Sequence, residues 1–377
     1  MKKLYWHRKL FPSYIILLIC AFCLVSLTLV QTFKTVKYGD FFYDKLGAAK
    51  TAYTAFNEIK RFRTEKDIPI DKMIDPADSG LVGVKQSSIT SDYGSIYAKR
   101  SSINPNFAAI FVQWLKGDLH LKEGDTIAVT MTGSYPALDI AMLSAIKELK
   151  LKPLLIFTVT ASNYGANIPG FTWIDMYQYL NKKGTFPYTP VGVAIGGSRD
   201  KGYGLSEKGH EIINETIKRS GYHFLNSQKT IDGIIKRMEL FKANAKGNEI
   251  KAFVNVGGAM TSIGLKQVGQ SNFKPKSLKH GVIKSLPVDL IKVDDVAVRF
   301  LKEGVPVINV RNSGQIIKDF KLPELPKYQP LIGEGSVYVT VEYNRIYALI
   351  ALVLDIIVLV IAAILSRKYL ITYKKSS

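Results

Sequence analysis

Cysteine is nearly missing. The 377 residues hold two, Cys20 and Cys23, and both fall inside an uncharged apolar run. No disulfide can brace the rest of the chain, which is free to fold in either redox compartment. Bulky Ile19 and Phe22 stand where a lipidated cysteine needs a small residue, so both cysteines read as packing residues. Histidine is scarce as well, at five, and no Cys/His set has zinc-ligand spacing; no metal is expected. No G-x-G-x-x-G stands where a dinucleotide site needs it, so no cofactor is expected. Blocks of five or more Lys/Arg are absent, as are basic runs interleaved with aromatics, which removes nucleic acid from the expected partners. Internal repeats and low-complexity tracts are missing too. With 47% hydrophobic and 22% charged residues, disorder is excluded as the main description.

Two long apolar runs are present. Residues 14–30, YIILLICAFCLVSLTLV, carry no charge and follow MKKLYWHRK; residues 346–365 are apolar except for Asp355 and precede SRKYLITYKK. Each approaches the length a helix needs to cross roughly 30 Å of hydrocarbon. The residues after the first run, QTFKTVKYG, offer no small-x-small cleavage site, so a retained anchor is expected rather than a removed leader. Lys2, Lys3, Arg8 and Lys9 before the first run, with Arg367, Lys368, Lys374 and Lys375 after the second, place both termini in the cytoplasm by the positive-inside rule. The expected organisation is a tail over 1–13, spans over 14–30 and 346–365, and a tail over 366–377. Between the spans come a juxtamembrane amphipathic helix and linker over 31–80, an extracytoplasmic domain over 81–320 and a tether over 321–345. Asp355, an intramembrane carboxylate, is expected to contact another helix of a membrane complex, with proton transfer the second possibility. Residues 32–345 carry 43 lysines and arginines against 30 aspartates and glutamates. Such an excess attracts a polyanion or an anionic lipid surface, although scattered lysines also serve solubility alone.

From about residue 81, short β-rich runs alternate with helical patterns. Strands are expected over 126–131, 154–159, 191–195, 252–256 and 306–310. Helices are expected over 105–116, 136–149, 171–182, 206–219, 229–245 and 293–303, preceded by an amphipathic helix over 44–63 with Leu46, Ala49, Tyr53, Phe56 and Ile59 on one face. Continuous apolar strands joined by such helices imply a doubly wound, mostly parallel, Rossmann-like α/β domain. Ligands of these sheets lie beyond the carboxyl ends of the strands. There the chain reads TGSYP, TASNYGAN, GGSRD, GGAMTS and RNSG, small hydrogen-bonding residues every time.

Three roles compete for Ser134 in T-G-S-Y-P. It can cap the helix that Pro136 opens, it can join Gly133 and Tyr135 in an anion site at that helix end, or it can be a nucleophile. A nucleophile elbow wants G-x-S-x-G, which is not present, and it would need a base such as His210 with Asp175 or Asp200 behind it. Gly196, Gly197 and Arg199 form a candidate carboxylate cradle, or a glycine turn with a local Arg199–Asp200 pair. Gly257 and Gly258 have the same character. Ser162, Asn163 and Asn167 can line a pocket for an amide-bearing chain, while Trp173 reads as core.

Taken together, KRSSINPNFAAIFV (99–112), TGSYPALDIAMLSA (132–145), ASNYGANIPGFTWIDM (161–176), GGSRDKGYGLSEKG (196–209) and VNVGGAMTSIG (254–264) resemble the poly-γ-glutamate system protein family. That resemblance implies a bacterial, membrane-anchored component of the machinery that makes and exports poly-γ-glutamate, in contact with its other subunits; it implies no catalytic residues. The expected function is binding or guiding the anionic polymer, through an open groove edged by lysines and arginines such as Lys99, Arg100, Lys152 and Lys201. One alternative is a γ-glutamyl hydrolase or transferase using Ser134 or an activated water; another is an unrelated structural or signalling envelope protein.

Overall fold

The β-rich runs assemble into one sheet. The computed structural model of the protein describes residues 13–258, 260–263 and 278–376. In it Thr126–Thr132 (β1), Lys152–Thr158 (β2), Gly192–Ala194 (β3), Ile250–Val256 (β4), Gly281–Ile283 (β5) and Val307–Val310 (β6) lie in the order β5-β6-β4-β1-β2-β3. All neighbours are parallel except β5, which runs antiparallel to β6. The parallel strands are those expected from the sequence, with β2 and β4 entering the sheet two residues early at Lys152 and Ile250; β5, a three-residue edge strand set between charged Lys279–His280 and Lys284, was not foreseen.

The α-helices of six or more residues are α1 (Ser13–Thr32), α2 (Phe42–Glu65), α3 (Ile96–Ser102), α4 (Phe107–Val112), α5 (Pro136–Glu148), α6 (Trp173–Lys182), α7 (Glu207–Ser220), α8 (Thr230–Ala245), α9 (Val296–Lys302), α10 (Ser313–Asp319) and α11 (Arg345–Ser376). They divide between two compact units, one formed by residues Gly39–Tyr338 and one by the flanking segments up to Tyr38 and from Val339.

In the Gly39–Tyr338 unit, helices cover both faces of the sheet. Phe253 of β4 stacks on Phe300 of α9 at 5.0 Å and meets Phe241 of α8 at 6.2 Å. Phe157 of β2 points to the other face, where its ring lies 5.6 Å from Trp173 and 4.7 Å from Tyr177 of α6. Burial on both sides explains why β1 has no exposed residue. Helix α5 is enclosed as well, since β1, α2 and α4 all pack against it, and Pro136–Ile146 are buried without a break. The amphipathic helix α2 turns Ala48, Ala49, Ala52, Ala55, Phe56 and Ile59 inward, while Tyr53 is exposed. Small alanines let two helices approach closely, and that shifts the buried stripe away from Tyr53.

The unit is wider than residues 81–320. Buried Arg63 donates to the carbonyls of Pro69, Gly80 and Val82 at 2.8, 3.2 and 2.7 Å and so ties down the proline-containing loop after α2. Residues 321–338, expected as part of a tether, are latched by Asn106, which donates to the Leu331 carbonyl at 2.7 Å and accepts from the Gly333 amide at 3.0 Å and the Tyr338 hydroxyl at 2.7 Å.

The second unit contains α1 and α11, both long and apolar enough to span a membrane over Tyr14–Thr32 and Arg345–Arg367. Lys34–Tyr38 and Val339–Tyr343 pair antiparallel beside them. Asp355 has a partner within the chain: Ser26 Oγ donates to its Oδ2 at 3.2 Å, and Oδ1 has no partner among the described residues.

Candidate functional site at the carboxyl ends of the strands

The sheet changes direction between β1 and β4. Strands β1, β2 and β3 step toward one edge, and β4 returns to the other side of β1. Loops leaving the carboxyl ends of β1 and β4 therefore part company, and this is where ligands of such sheets sit.

The loop after β1 is pinned by its backbone. The Gly133 amide donates to the Thr158 carbonyl at 3.2 Å, and the Ala166 amide donates to the Gly133 carbonyl at 2.7 Å. Ser134 does not cap α5. The cap position is Tyr135, which makes no side-chain capping bond, while Ser134 Oγ accepts the Ser162 amide at 3.1 Å. Pro136 does occupy the first helical turn.

Lys99 of α3 reaches into this loop, buried with 2% of its surface exposed. Its Nζ lies 2.9 Å from Ser162 Oγ, bonds the Ser134 carbonyl, and rests 3.6 Å from the centre of the Tyr135 ring. Burial lowers its pKa to about 7, and the charge of Asp139 opposes the fall. Asp139, in the first turn of α5, is fully buried. Burial holds this carboxyl well above the usual range, against the pull of Lys99 and the Thr132 backbone. Burial also raises the Tyr135 phenol, opposed by Arg311 and by a hydrogen bond with Ser313. Arg311, just beyond β6, is half-buried and shifted down by that burial. Gly257, after β4, has φ +97°, and a Cβ there would collide with Thr132 Oγ1, itself buried and unpartnered among the described residues. Only glycine gives this turn.

The centre thus gathers a near-neutral lysine, a buried carboxyl, an aromatic ring, two serines and an arginine. A lysine that loses its proton near pH 7 can act as a base; a guanidinium with open surface can hold a carboxylate. Two of these residues, Asp139 and Arg311, went unrecognised in the sequence, and Lys99 was expected at the edge of an open groove rather than buried. Asp139 had a readable signal, a carboxylate inside the otherwise apolar stretch Pro136–Ile146. The burial of Lys99 and the placement of Arg311 had none: a cation on a short helix or after a strand ordinarily faces water.

Other expected site residues serve the fold. Asp175 closes the capping box of α6, accepting from the Thr172 amide and hydroxyl at 2.8 Å each, and it takes Arg219 at 2.6 Å. It is not the orienting acid of a serine. His210, on α7, lines a polar cavity of about 410 Å³ with Asp200, Lys201 and Asn226; no hydrogen bond joins it to Ser134 among the described residues. Asn167 holds both backbone groups of Val84, at 3.0 and 2.8 Å, and Asn163 holds Lys85 and the Gly94 amide. Gly196 and Gly197 have φ of +81° and +69° and lie against Thr158, Thr160 and Ser91. Arg199 is exposed, 4.7 Å from the Tyr203 ring, and does not pair with Asp200. Asp200 is held instead by Arg237 in a buried fork at 2.7 and 2.8 Å. Gly258 is exposed beside Gly257. The lysine-edged groove also changes: Lys99 is buried, Arg100 is spent on the Met73 and Ile74 carbonyls, and Lys152 sits at the amino end of β2, away from the crevice.

No protein-family model, curated protein or solved structure matches the chain.

Proposed function

We propose that the protein is a membrane-anchored accessory component for an anionic polyamide of the poly-γ-glutamate class, its Rossmann-like α/β unit standing outside the cytoplasm and binding or guiding the polymer beside the synthesis and export machinery. The observation that carries this reading is the convergence of two cations, Lys99 and Arg311, with the hydroxyls of Ser162 and Tyr135 near the carboxyl ends of β1 and β6. A γ-linked glutamyl unit presents one carboxylate and one amide. Half-buried Arg311 suits the first, because a guanidinium fork pairs a carboxylate in two parallel bonds; hydroxyl donors suit the second. The excess of lysine and arginine between the spans supports capture of a long polyanion, and strand order reversing between β1 and β4 supports the Rossmann-like reading.

The test is binding of fluorescent poly-γ-glutamate to the full-length protein in detergent micelles at low and moderate salt. Expected is salt-weakened binding that falls about tenfold or more in Arg311→Ala, with Arg311→Lys between them. Equal binding by wild type and Arg311→Ala, or none at low salt, overturns the assignment.

A further inference from the structure

We propose that Ser162 and Lys99 form a serine–lysine pair that catalyses acyl transfer at an amide, so that the protein cuts or transfers the chain it binds. The choice of substrate rests on the polyamide reading above; the pair itself rests on three geometric observations. First, Lys99 Nζ lies 2.9 Å from Ser162 Oγ. A protonated amine donates across that distance, and a neutral one accepts the hydroxyl proton across it. Second, Ser162 is fixed from behind, with its amide donated to Ser134 Oγ at 3.1 Å and its short strand, Ala161–Ser162, paired to Thr90–Asp92. The hydroxyl therefore has little freedom to leave the lysine. Third, Gly94 passes beside the serine: a Cβ at that position would stand 2.5 Å from the Asn163 carbonyl oxygen and 2.8 Å from Ser162 Oγ. Its φ is not positive, so glycine is needed there for clearance from both, and a side chain would crowd the hydroxyl.

A structural latch would explain the hydrogen bonds but not the choice of cation. The two oxygen partners of Lys99, the Ser134 carbonyl and the Ser162 hydroxyl, can be tied by a neutral amide side chain at far smaller desolvation cost than by a lysine sealed beside a buried carboxyl. Enclosure instead gives the amine the ability to work as a base: its pKa of about 7 leaves a large neutral fraction at physiological pH. Burial sets this value; the charged and titratable groups facing Lys99 are Asp139, whose charge opposes the fall, and Tyr135, whose ring it rests on, with Arg311 acting on Tyr135.

The step balances without an added oxidant or metal. Ser162 Oγ attacks the amide carbonyl carbon while its proton passes to neutral Lys99. The carbon–nitrogen bond then breaks, the leaving amine takes that proton back from Lys99, and an ester remains on Ser162. Water or a second amine attacks the ester, gives its proton to Lys99, and the ester oxygen recovers it as Ser162 is released. Water yields two shorter chains; an amine yields a transferred one. Ser134 is a positioning residue in this scheme.

The test treats the full-length protein in detergent micelles with an alkyl fluorophosphonate and maps the adduct by mass spectrometry. Expected is phosphonylation of Ser162, rising through an inflection near pH 7, absent in Ser162→Ala and slowed about 100-fold or more in Lys99→Arg, which keeps the charge and loses the base. Thermal unfolding of each variant, with midpoints near that of wild type, shows that lost labelling is not lost folding. No adduct on Ser162 in folded wild type, or an undiminished rate in Lys99→Arg, overturns the pair. Poly-γ-glutamate binding is measured on the same samples. Labelling without polymer binding keeps the pair and removes the polyamide; polymer binding without labelling removes the pair alone.

Discussion

Lys99 makes a stability prediction whose sign can be worked out in full. An ordinary lysine titrates at 10.5 and this one at about 7, chiefly through burial. At about 1.36 kcal/mol per pH unit, the depression corresponds to about 5 kcal/mol favouring neutral over charged Lys99 in the folded state. Between pH 7 and 10.5 the unfolded chain holds a proton that the folded chain has released. The unfolded state therefore binds more protons, and stability rises with pH across that window and is lost as pH falls toward 7. Asp139 is raised by the same burial and its own upward shift acts in the opposite direction, so the clean comparison is made in an Asp139→Asn background, where loss of that counter-charge can only lower Lys99 further.

Lys99→Met in that background is the perturbation. Methionine fills a similar length without charge, so the rise between pH 7 and 10.5 should vanish. At pH 6 the variant should be the more stable protein by a few kcal/mol, because a buried charge has gone. At pH 10 the order should reverse by about 1 kcal/mol, since the neutral lysine keeps its hydrogen bonds to Ser162 and Ser134. Denaturant unfolding of full-length protein in micelles, followed through the fluorescence of buried Trp114 and Trp173, reads all three points. A wild-type slope that survives in Lys99→Met would refute the account, because some other group would then carry the titration.

Two further substitutions separate the crevice from the frame around it. Arg237→Ala leaves Asp200 buried without the fork that neutralises it and should cost roughly 3–5 kcal/mol by denaturant unfolding, while Asp200→Asn with Arg237→Met together should cost much less. Gly257→Ala forces a side chain into a left-handed turn and onto Thr132 Oγ1, at about 1–3 kcal/mol; Thr132→Ala should restore part of the loss, the remainder measuring the backbone strain alone.

The strands and helices were legible because they obey local rules. Each parallel strand is mostly apolar, with few polar residues such as Asn255 and Asn309 inside it, the pattern of a sheet covered on both faces, and helix-period stretches separate them. The capping box Thr172–Asp175 left a local signal too, a threonine followed three residues later by an acid at a helix start, but the reading of Asp175 as an orienting acid passed over it. What no local rule conveys is which loops meet. Ser134 looks toward Ser162 and Lys99 because α3 lies against the loops after β1 and β2, a contact between residues 35 and 63 positions apart. His210 goes instead to the cavity beyond β3.

The recurrence of small hydrogen-bonding residues after every strand has two physical causes. Beyond β1, β4 and β6, at the turn of the sheet, the loops bring Ser134, Tyr135, Gly257 and Arg311 to the crevice. Beyond β2, Asn163 and Asn167 are occupied by the backbone of residues 84–94, a stretch mostly without regular structure whose amides and carbonyls find few ladder partners. Buried backbone polar groups must be matched by something, and asparagine, with one donor and one acceptor end, matches both groups of Val84 at once. The same composition therefore marks the candidate crevice at the centre of the sheet and a backbone latch one strand away. Composition cannot divide these cases, and strand order divides them only in part: the β1–β4 reversal parts the loops of Ser134 and Gly257, yet Ser162, in the same loop beyond β2 as Asn163 and Asn167, still meets Lys99 and Ser134.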